Sequence, residues 1–221
     1  ALIRRPRLLE QTITEMAAAS ALPLTLKTRV GWSPGEKLPL GLLERLSKLG
    51  VSALALHGRF QTDPAGAPLR LDEMARCVGA ASVPVVANGD SFTLETIERM
   101  RSASGASGVM LGRGAARKPW IFRDLAEGRT SGPSLPRTGE IRALVDAQIG
   151  MMLEREPSRN IYAIMRGRLI WLFHGFEGAA DLRRRAGLVT GREQAMELCE
   201  EAEELMLGAT TREQQAGGEP V

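Results

Sequence analysis

The chain has few cysteines, few lysines and no long apolar runs, and each shortage excludes or disfavours a class of protein. Its 221 residues include two cysteines, Cys77 and Cys199, which lack the spacing of a metal site or a disulfide framework and indicate a reducing compartment. No apolar run approaches the roughly 18 residues that a membrane-spanning helix needs. The first residues are too charged for a secretory signal and begin without methionine, so we expect a processed, trimmed or incomplete chain.

Basic charge is carried almost entirely by arginine, because only four lysines occur against 25 arginines. Residues 155–192 contain eight arginines and three acidic residues, whereas residues 193–204 contain six glutamates and no basic residue. A basic block beside an acidic one favours a polyanion-binding face, and a set of solvated helix faces is the alternative interpretation. The planar guanidinium groups would suit phosphate recognition, although codon bias could also explain their number.

The chain divides into two regions with different patterns. In residues 1–127, β-rich apolar runs alternate with amphipathic helical stretches, whereas residues 137–207 show helical periodicity alone. Residues 128–136 are dense in glycine, proline and serine and predict a linker. Residues 208–221 are polar and rich in glycine, so we expect a disordered tail.

The first region predicts an α/β fold with a parallel sheet. Four apolar runs at 22–28, 51–57, 83–87 and 108–111 are apolar on both faces, which is typical of parallel strands covered by helices. Apolar residues spaced by three and four predict helices between them, including one over 38–49. The second region predicts a small helical bundle, because residues 141–152, 161–172 and 195–205 each place apolar residues on one helical face.

Polar and glycine residues follow each of the four predicted strands. The candidate site residues, in chain order, are Lys27, Arg29, His57, Arg59, Asn88, Gly89, Asp90, Gly112 and Arg113. The carboxyl ends of the strands form the active site in a βα barrel, and the loops after the last two strands are a recurrent phosphate site. We therefore expect a ligand site here, with Arg113 able to neutralise a phosphate. Tight βα turns without a ligand are the alternative.

Two of these residues suggest the chemistry of the ligand. Lys27 ends a strongly apolar strand and should point at an electron-rich group, such as the N1 and O2 edge of a flavin ring. Pairing with a neighbouring carboxylate is the alternative for Lys27. His57 could donate to a ring carbonyl or to a base, and a structural role is its alternative.

The stretches that carry these residues resemble those of tRNA-dihydrouridine synthases. They read Leu-Pro-Leu-Thr-Leu-Lys-Thr-Arg-Val-Gly-Trp at 22–32, Leu-His-Gly-Arg at 56–59, Val-Pro-Val-Val-Ala-Asn-Gly-Asp at 83–90, and Gly-Val-Met-Leu-Gly-Arg-Gly-Ala-Ala-Arg-Lys-Pro-Trp at 108–120. A further set is similar to the helical tRNA-contacting domain of that family: Tyr162, Met165, Arg166, Trp171, His174, Gly175, Asp181 and Arg183. The resemblance covers roughly residues 1–205.

The resemblance implies a fold, two cofactors and a substrate. Residues 1–127 would supply the second half of a TIM (βα)8 barrel, followed by a helical tRNA-binding domain. Lys27 and His57 would contact the ring of FMN, and the Asn88, Gly89, Asp90, Gly112 and Arg113 turns would hold its phosphate. NADPH would reduce FMN, and the flavin would pass a hydride to a flipped uridine of tRNA to give 5,6-dihydrouridine. Arg29, Arg59, Arg166 and Arg183 would contact the substrate.

Two departures from the family pattern qualify that expectation. The Asn-x-Gly-Cys-Pro segment that carries the proton-donating cysteine is missing from this sequence, and we assign its role to neither Cys77 nor Cys199. The stretch after Arg59 also lacks the usual aromatic residue beyond Phe60, which affects the local substrate contacts. Because half a barrel leaves open sheet edges, we expect the chain alone to be marginally stable and not to turn over.

The alternatives are a non-catalytic RNA-binding protein and an FMN-barrel oxidoreductase with a small-molecule substrate. We expect no metal and no membrane association. The cytoplasm is the first expectation for the compartment, and the nucleus and organelle matrix are equally reducing alternatives.

Overall fold

The computed structural model describes residues 2–156 and 160–216, with side chains described as far as Gly208. It divides into two compact units. The first comprises residues 1–113 and 130–132, and the second comprises residues 114–129 and 133–221. No helix of the described residues is long and apolar enough to cross a bilayer.

The first unit is a five-stranded sheet with helices between its parallel strands. Its elements in chain order are a 3-10 turn Leu2–Arg4, α1 (Pro6–Ala19), β1 (Leu24–Ser33), β2 (Glu36–Lys37), α2 (Leu40–Leu43), β3 (Val51–Phe60), α3 (Leu71–Ala80), β4 (Val85–Asn88), α4 (Leu94–Ser104) and β5 (Gly108–Met110). The strand order is β2-β1-β3-β4-β5. The strands β1, β3, β4 and β5 run parallel to their neighbours, and β2 pairs antiparallel with β1.

One face of this sheet is buried. Alternate residues of two central strands, Leu54 and Leu56 in β3 and Val85 and Ala87 in β4, pack in a core with residues of α1, α3 and α4. The residues between them point to the other face, where partly exposed side chains include Ala55, His57, Val86 and Asn88. The four runs were expected to be covered on both faces, and among the described residues only one face is.

The predicted parallel α/β sheet is confirmed, with changes at the element ends. β1 continues to Ser33 because Gly31 and Ser33 pair with the short β2, which the sequence pattern did not predict. β3 continues to Phe60, which pairs with Gly31. The helix predicted over 38–49 is one short helix, α2, followed by turns, although Leu38, Leu42 and Leu46 are all buried as its periodicity indicated.

The second unit is helical. Its elements are α5 (Arg113–Arg117, whose first residue belongs to the first unit), α6 (Ile121–Ala126), α7 (Glu140–Arg155), α8 (Ile161–Leu172), α9 (Ala179–Ala186) and α10 (Arg192–Ala216). Apolar residues of α7 to α10, including Ile149, Met165, Leu182 and Cys199, form a separate core. The predicted helical faces at 141–152, 161–172 and 195–205 correspond to α7, α8 and α10.

The division between the units falls after Arg113, earlier than the predicted boundary at 127. α6 belongs to the second unit because the preceding Trp120 is buried in the helical core and Arg123 donates to Glu140 of α7 at 2.5 Å. The tail predicted to be disordered from 208 is helical as far as Ala216. The last part of that prediction, residues 217–221, lies outside the described residues.

Candidate functional site

Strand register brings polar side chains of three strands to one level on the partly exposed sheet face. Arg29 of β1 is the register partner of His57 of β3, which in turn pairs with Asn88 of β4. Lys27 lies two residues before Arg29 and therefore on the same face of β1. The structure thus brings four of the predicted site residues together on this face. The neighbouring positions Leu56 and Ala87 point to the buried face.

His57 is the most perturbed group of this cluster. Burial is the main cause that lowers the pKa of its imidazole to about 4, and the nearby Arg29, Lys27 and Arg59 lower it further. The ring is therefore neutral at pH 7, with one nitrogen able to donate and the other able to accept. Its Nδ1 atom is buried and has no hydrogen-bond partner among the described residues.

The cations beside His57 are held to different degrees. Arg29 donates from its Nη1 atom to the carbonyl oxygen of Phe60 at 2.8 Å, which fixes its guanidinium. Lys27 is exposed, and its ammonium group has no hydrogen-bond or ion-pair partner in the part of the chain that the structure describes. Asn88 donates its amide to the carbonyl oxygen of Met110 at 3.0 Å. This face is consequently positive, with an unpaired ammonium next to a neutral imidazole.

Asp90 lies between two of the predicted arginines. Its carboxylate accepts from Arg59 at 2.5 Å and also pairs with Arg113. The hydrogen bond from Arg59 is the main cause that lowers the pKa of Asp90, and the charge of Arg113 adds to it. The Asp90 carboxylate is therefore ionised at neutral pH, and the three residues together carry one net positive charge.

The two arginines of this group differ in accessibility. Arg59 is buried and also donates from Nε to the carbonyl oxygen of Ala67 at 2.5 Å, so its guanidinium is engaged within the protein. Arg113 is 58% exposed, and its guanidinium lies 5.6 Å from the centroid of the Phe92 ring. Of the two, Arg113 has the accessibility that contact with a ligand phosphate needs, whereas Arg59 positions Asp90.

The predicted site glycines, Gly89 and Gly112, differ in the space that surrounds them. A Cβ atom at Gly89 would lie 2.6 Å from the end of the Leu69 side chain and 2.9 Å from the end of the Met100 side chain, so a side chain there would require these two flexible ends to shift. A Cβ atom at Gly112 would meet no described atom within 4 Å, and the φ angle at Gly112 is not positive. Gly112 therefore leaves open space next to Arg113.

Comparison with known proteins identifies the family. The profile of the dihydrouridine synthase (Dus) family matches residues 1–207. The chain belongs to the dihydrouridine synthase family. It is 35% identical over 191 residues to tRNA-dihydrouridine synthase B of Pseudomonas syringae pv. tomato, which covers 83% of this chain and 55% of that protein.

Two further relatives of the dihydrouridine synthase family match over most of the chain. The probable tRNA-dihydrouridine synthase 1 of Synechocystis is 29% identical, covering 91% of this chain and 57% of that protein. The tRNA-dihydrouridine synthase B of Vibrio cholerae is also 29% identical, covering 90% of this chain and 63% of that protein. The chain therefore spans about three fifths of the length of these curated relatives.

The predicted substrate arginines of the helical unit each donate a hydrogen bond to a backbone carbonyl. Arg166 donates from Nε to Val189 at 2.7 Å, and Arg183 donates from Nη1 to Phe173 at 3.0 Å. Both are partly buried, and each retains further N–H groups for other partners. The predicted site residues did not include Arg117 and Arg168. Both lie near other candidate RNA-contacting side chains in the sequence, because Arg117 precedes Lys118 and Arg168 lies one helical turn before Trp171.

Neither cysteine of this family member is placed to transfer a proton to a substrate. Cys77 in α3 and Cys199 in α10 are both fully buried. Burial raises the pKa of the Cys77 thiol, and burial followed by the charges of Glu203 and Glu200 raises that of Cys199 to about 12. The described residues also contain no group of three or more side chains that could hold a metal ion.

Proposed function

We propose that this chain takes part in the FMN-dependent, NADPH-driven reduction of uridine to 5,6-dihydrouridine in tRNA. One observation carries the proposal beyond family membership: a neutral His57 with an unpartnered buried nitrogen lies level with Arg29 and next to the unpaired Lys27 on one sheet face. Such a face suits a flat, electron-rich ring that offers hydrogen-bonding atoms at its edge. The proposal places this chemistry in the cytoplasm.

The residues of the first unit fit FMN. The buried Nδ1 atom of His57 needs a partner, because an unpaired buried polar atom costs about 1–3 kcal/mol. The open space at Gly112 and the exposed guanidinium of Arg113 leave room and charge for a phosphate. In the proposal, Lys27 and His57 hold the ring. The backbone of the Asn88, Gly89 and Asp90 turn and of Gly112, together with the guanidinium of Arg113, holds the ribityl phosphate, and the Asp90 carboxylate orients Arg113. FMN would supply a hydride to the substrate.

The side chains of this face would then have separate roles. The ammonium of Lys27 stabilises negative charge at the electron-rich edge of a bound ring. The neutral His57 exchanges a hydrogen bond with the ring without adding charge, and Arg29 keeps the surrounding potential positive. Since both thiols are buried with raised pKa values, the proton that completes the reduction would come from a group other than Cys77 and Cys199.

The proposal also covers the fold of the first unit and the binding of tRNA by the helical unit. The parallel strands β1, β3, β4 and β5 would be the last four strands of a (βα)8 barrel, whose strand ends form the active site. The arginine-rich helices would bind the phosphate backbone of tRNA, and binding should therefore weaken as salt rises.

A non-catalytic RNA-binding protein is the second candidate function. The arginines of the helical unit are its basis, because they would bind tRNA whether or not a flavin is bound. It predicts a colourless protein that still binds tRNA, whereas the first proposal predicts a protein that binds FMN. A small-molecule FMN oxidoreductase, the third reading, predicts FMN binding that tRNA does not affect.

FMN titration of the full chain tests the proposal. We expect FMN fluorescence to be quenched on binding, and Lys27→Met to weaken the affinity about tenfold through loss of one charged contact. Lys48→Met is the matched control, because Lys48 is an exposed lysine remote in sequence from the site. Equal affinity of Lys27→Met and the unmodified chain would remove the flavin assignment.

Binding of tRNA is measured in parallel with the flavin titration. We expect unmodified tRNA to bind with an affinity that falls steeply between 50 and 200 mM salt, as phosphate neutralisation requires. A protein that binds FMN but not tRNA would point to the small-molecule oxidoreductase. A protein that binds tRNA but not FMN would point to the non-catalytic candidate.

A further inference from the structure

An exposed tryptophan of the helical unit lies under an arginine. Trp171, in the last turn of α8, is 40% exposed. The guanidinium of Arg117 from α5 lies over its ring, 5.2 Å from the centroid. A guanidinium over the face of an aromatic ring is attracted to it and favours one orientation of the ring.

A cavity of about 360 Å³ opens beside this tryptophan. Ala116, Pro119 and Leu144 contribute apolar surface to it, and Trp171 forms part of the wall. Gln148 and Arg168 are its polar lining, and Arg168 donates to the Gln148 side chain at 3.0 Å. The cavity therefore combines an aromatic and apolar interior with an amide and a guanidinium, which together can donate to and accept from the edge of a flat heterocycle.

A second cavity of about 380 Å³ includes Arg117, Lys118 and His174 in its lining. Burial, then the charges of Arg117 and Arg183, lower the pKa of His174, so the imidazole is neutral among cations. Two lining residues, Trp120 and Ser134, are each 4% exposed. Their Trp120 Nε1 and Ser134 Oγ atoms are buried without a hydrogen-bond partner among the described residues.

The two cavities share their boundary elements. Ala115 and Ala116 line the first and Arg117 and Lys118 the second, so the same short helix borders both. The surface thus alternates aromatic and apolar pockets with positive charge. We call Arg117, Lys118, Gln148, Arg168, Trp171 and His174 the aromatic–basic face.

We propose that the aromatic–basic face binds an unpaired nucleotide of an RNA strand, with the base in the first cavity against Trp171 and the phosphates beside Arg117 and Lys118. Stacking on an aromatic ring next to cations is the chemistry by which proteins hold single-stranded nucleic acid. A base within a duplex has no free face and could not enter the cavity. The inference rests on the proposed function, because it takes tRNA to be the substrate and adds that this unit contacts a base as well as the backbone.

Binding of a short single-stranded RNA tests the inference on the full chain. An eight-residue oligouridylate carrying a fluorescent label is titrated at 50 mM salt, with a duplex of equal length and inorganic polyphosphate as competitors. We expect Trp171→Ala to weaken binding about tenfold, as loss of one stacked base requires. Trp171→Phe keeps an aromatic ring and should weaken it less than about threefold.

Two controls separate stacking from loss of structure. Phe122→Ala removes another exposed aromatic side chain of the same unit, 54% exposed and outside both cavities, and should leave RNA binding unchanged. RNA should also quench part of the tryptophan fluorescence of the unmodified chain, and this part should be absent in Trp171→Phe. A thermal unfolding curve for each variant verifies its fold.

The outcomes distinguish this inference from the proposed function. Unchanged affinity of Trp171→Ala, equal competition by duplex or polyphosphate, or tRNA binding without any oligouridylate binding would each overturn base recognition and leave the tRNA proposal standing. Absence of tRNA binding altogether would overturn both.

Discussion

The carboxylate of Glu203, on α10, accepts a hydrogen bond from the backbone N–H of Ile141, 62 residues earlier in the first turn of α7. The same carboxylate also accepts from the backbone N–H groups of Gly139 at 2.6 Å and Arg142 at 3.3 Å. The first N–H groups of a helix have no partner within the helix, and a negative charge there is favourable. Glu203 therefore caps α7 from a distant helix and ties two helices of the core together.

Glu203→Gln should destabilise the helical unit by about 2 kcal/mol, because the neutral amide loses the charge and turns a donor toward backbone N–H groups. Urea unfolding followed by circular dichroism measures the change. Glu204→Gln is the matched control, since Glu204 is the exposed neighbour on the same helix. Equal unfolding midpoints for the two variants would show that the cap contributes nothing to stability.

The helices α7 and α10 could be predicted from the sequence, but the cap that Glu203 forms between them could not. Periodicity predicted the helical faces of α7 and α10, because each helix must bury one stripe of apolar residues. A glutamate in an acidic run gives no sign that it will be buried, since its partners lie on another helix. In the sequence the six glutamates of 193–204 form one acidic block, yet Glu203 is 4% exposed and interacts inside the unit.

In the candidate site, too, features set by neighbouring residues could be predicted from the sequence, and features set by contacts between distant residues could not. The four parallel strands and the polar residues at their ends were predictable, because alternation and glycine turns are local signals. The alignment of Arg29, His57 and Asn88 at one level depends on strand register, which no single strand encodes. The burial of Arg59 against Asp90 and Ala67 likewise depends on loops that follow different strands.

The pKa of His57 should be about 4 in the folded chain. NMR titration can measure it directly, because the sequence has two histidines and His174→Gln leaves one signal. Arg29→Gln removes a nearby cation and should raise the pKa of His57, whereas Lys48→Met should not change it. A pKa of His57 near 6.5 in the unmodified chain would contradict the burial of this ring among cations.

The same depressed pKa fixes how His57 affects stability. In the unfolded chain the imidazole titrates near 6.5, so between pH 6.5 and about 4 the unfolded state takes up a proton that the folded state does not. The free energy of unfolding should therefore fall as pH is lowered through this window. His57→Gln should reduce this pH dependence.

Asp90→Asn should destabilise the first unit by about 3 kcal/mol, because it leaves the guanidinium of Arg59 buried without a counter-charge. Asp72→Asn, which changes an exposed aspartate at the start of α3, serves as the control and should have little effect. Since the pKa of Asp90 is lowered below 3.8, its stabilising contribution is present above that pH and is lost as pH falls further. Urea unfolding at pH 7 and at pH 3 measures both effects.

Alanine at the two predicted glycines should separate packing from ligand binding. Gly89→Ala places a methyl group against the ends of the Leu69 and Met100 side chains, which would have to shift, and should lower the free energy of unfolding by about 1 kcal/mol. Gly112→Ala projects its methyl group into open space, so its stability should stay within about 0.5 kcal/mol of the unmodified chain.

If the phosphate of FMN lies beside Arg113, the Gly112→Ala methyl group occupies part of that space and FMN affinity should fall although the fold is intact. Thermal unfolding without ligand and FMN titration of the same samples give the two readouts. A Gly112→Ala chain that binds FMN as tightly as the unmodified chain would place the phosphate away from this turn.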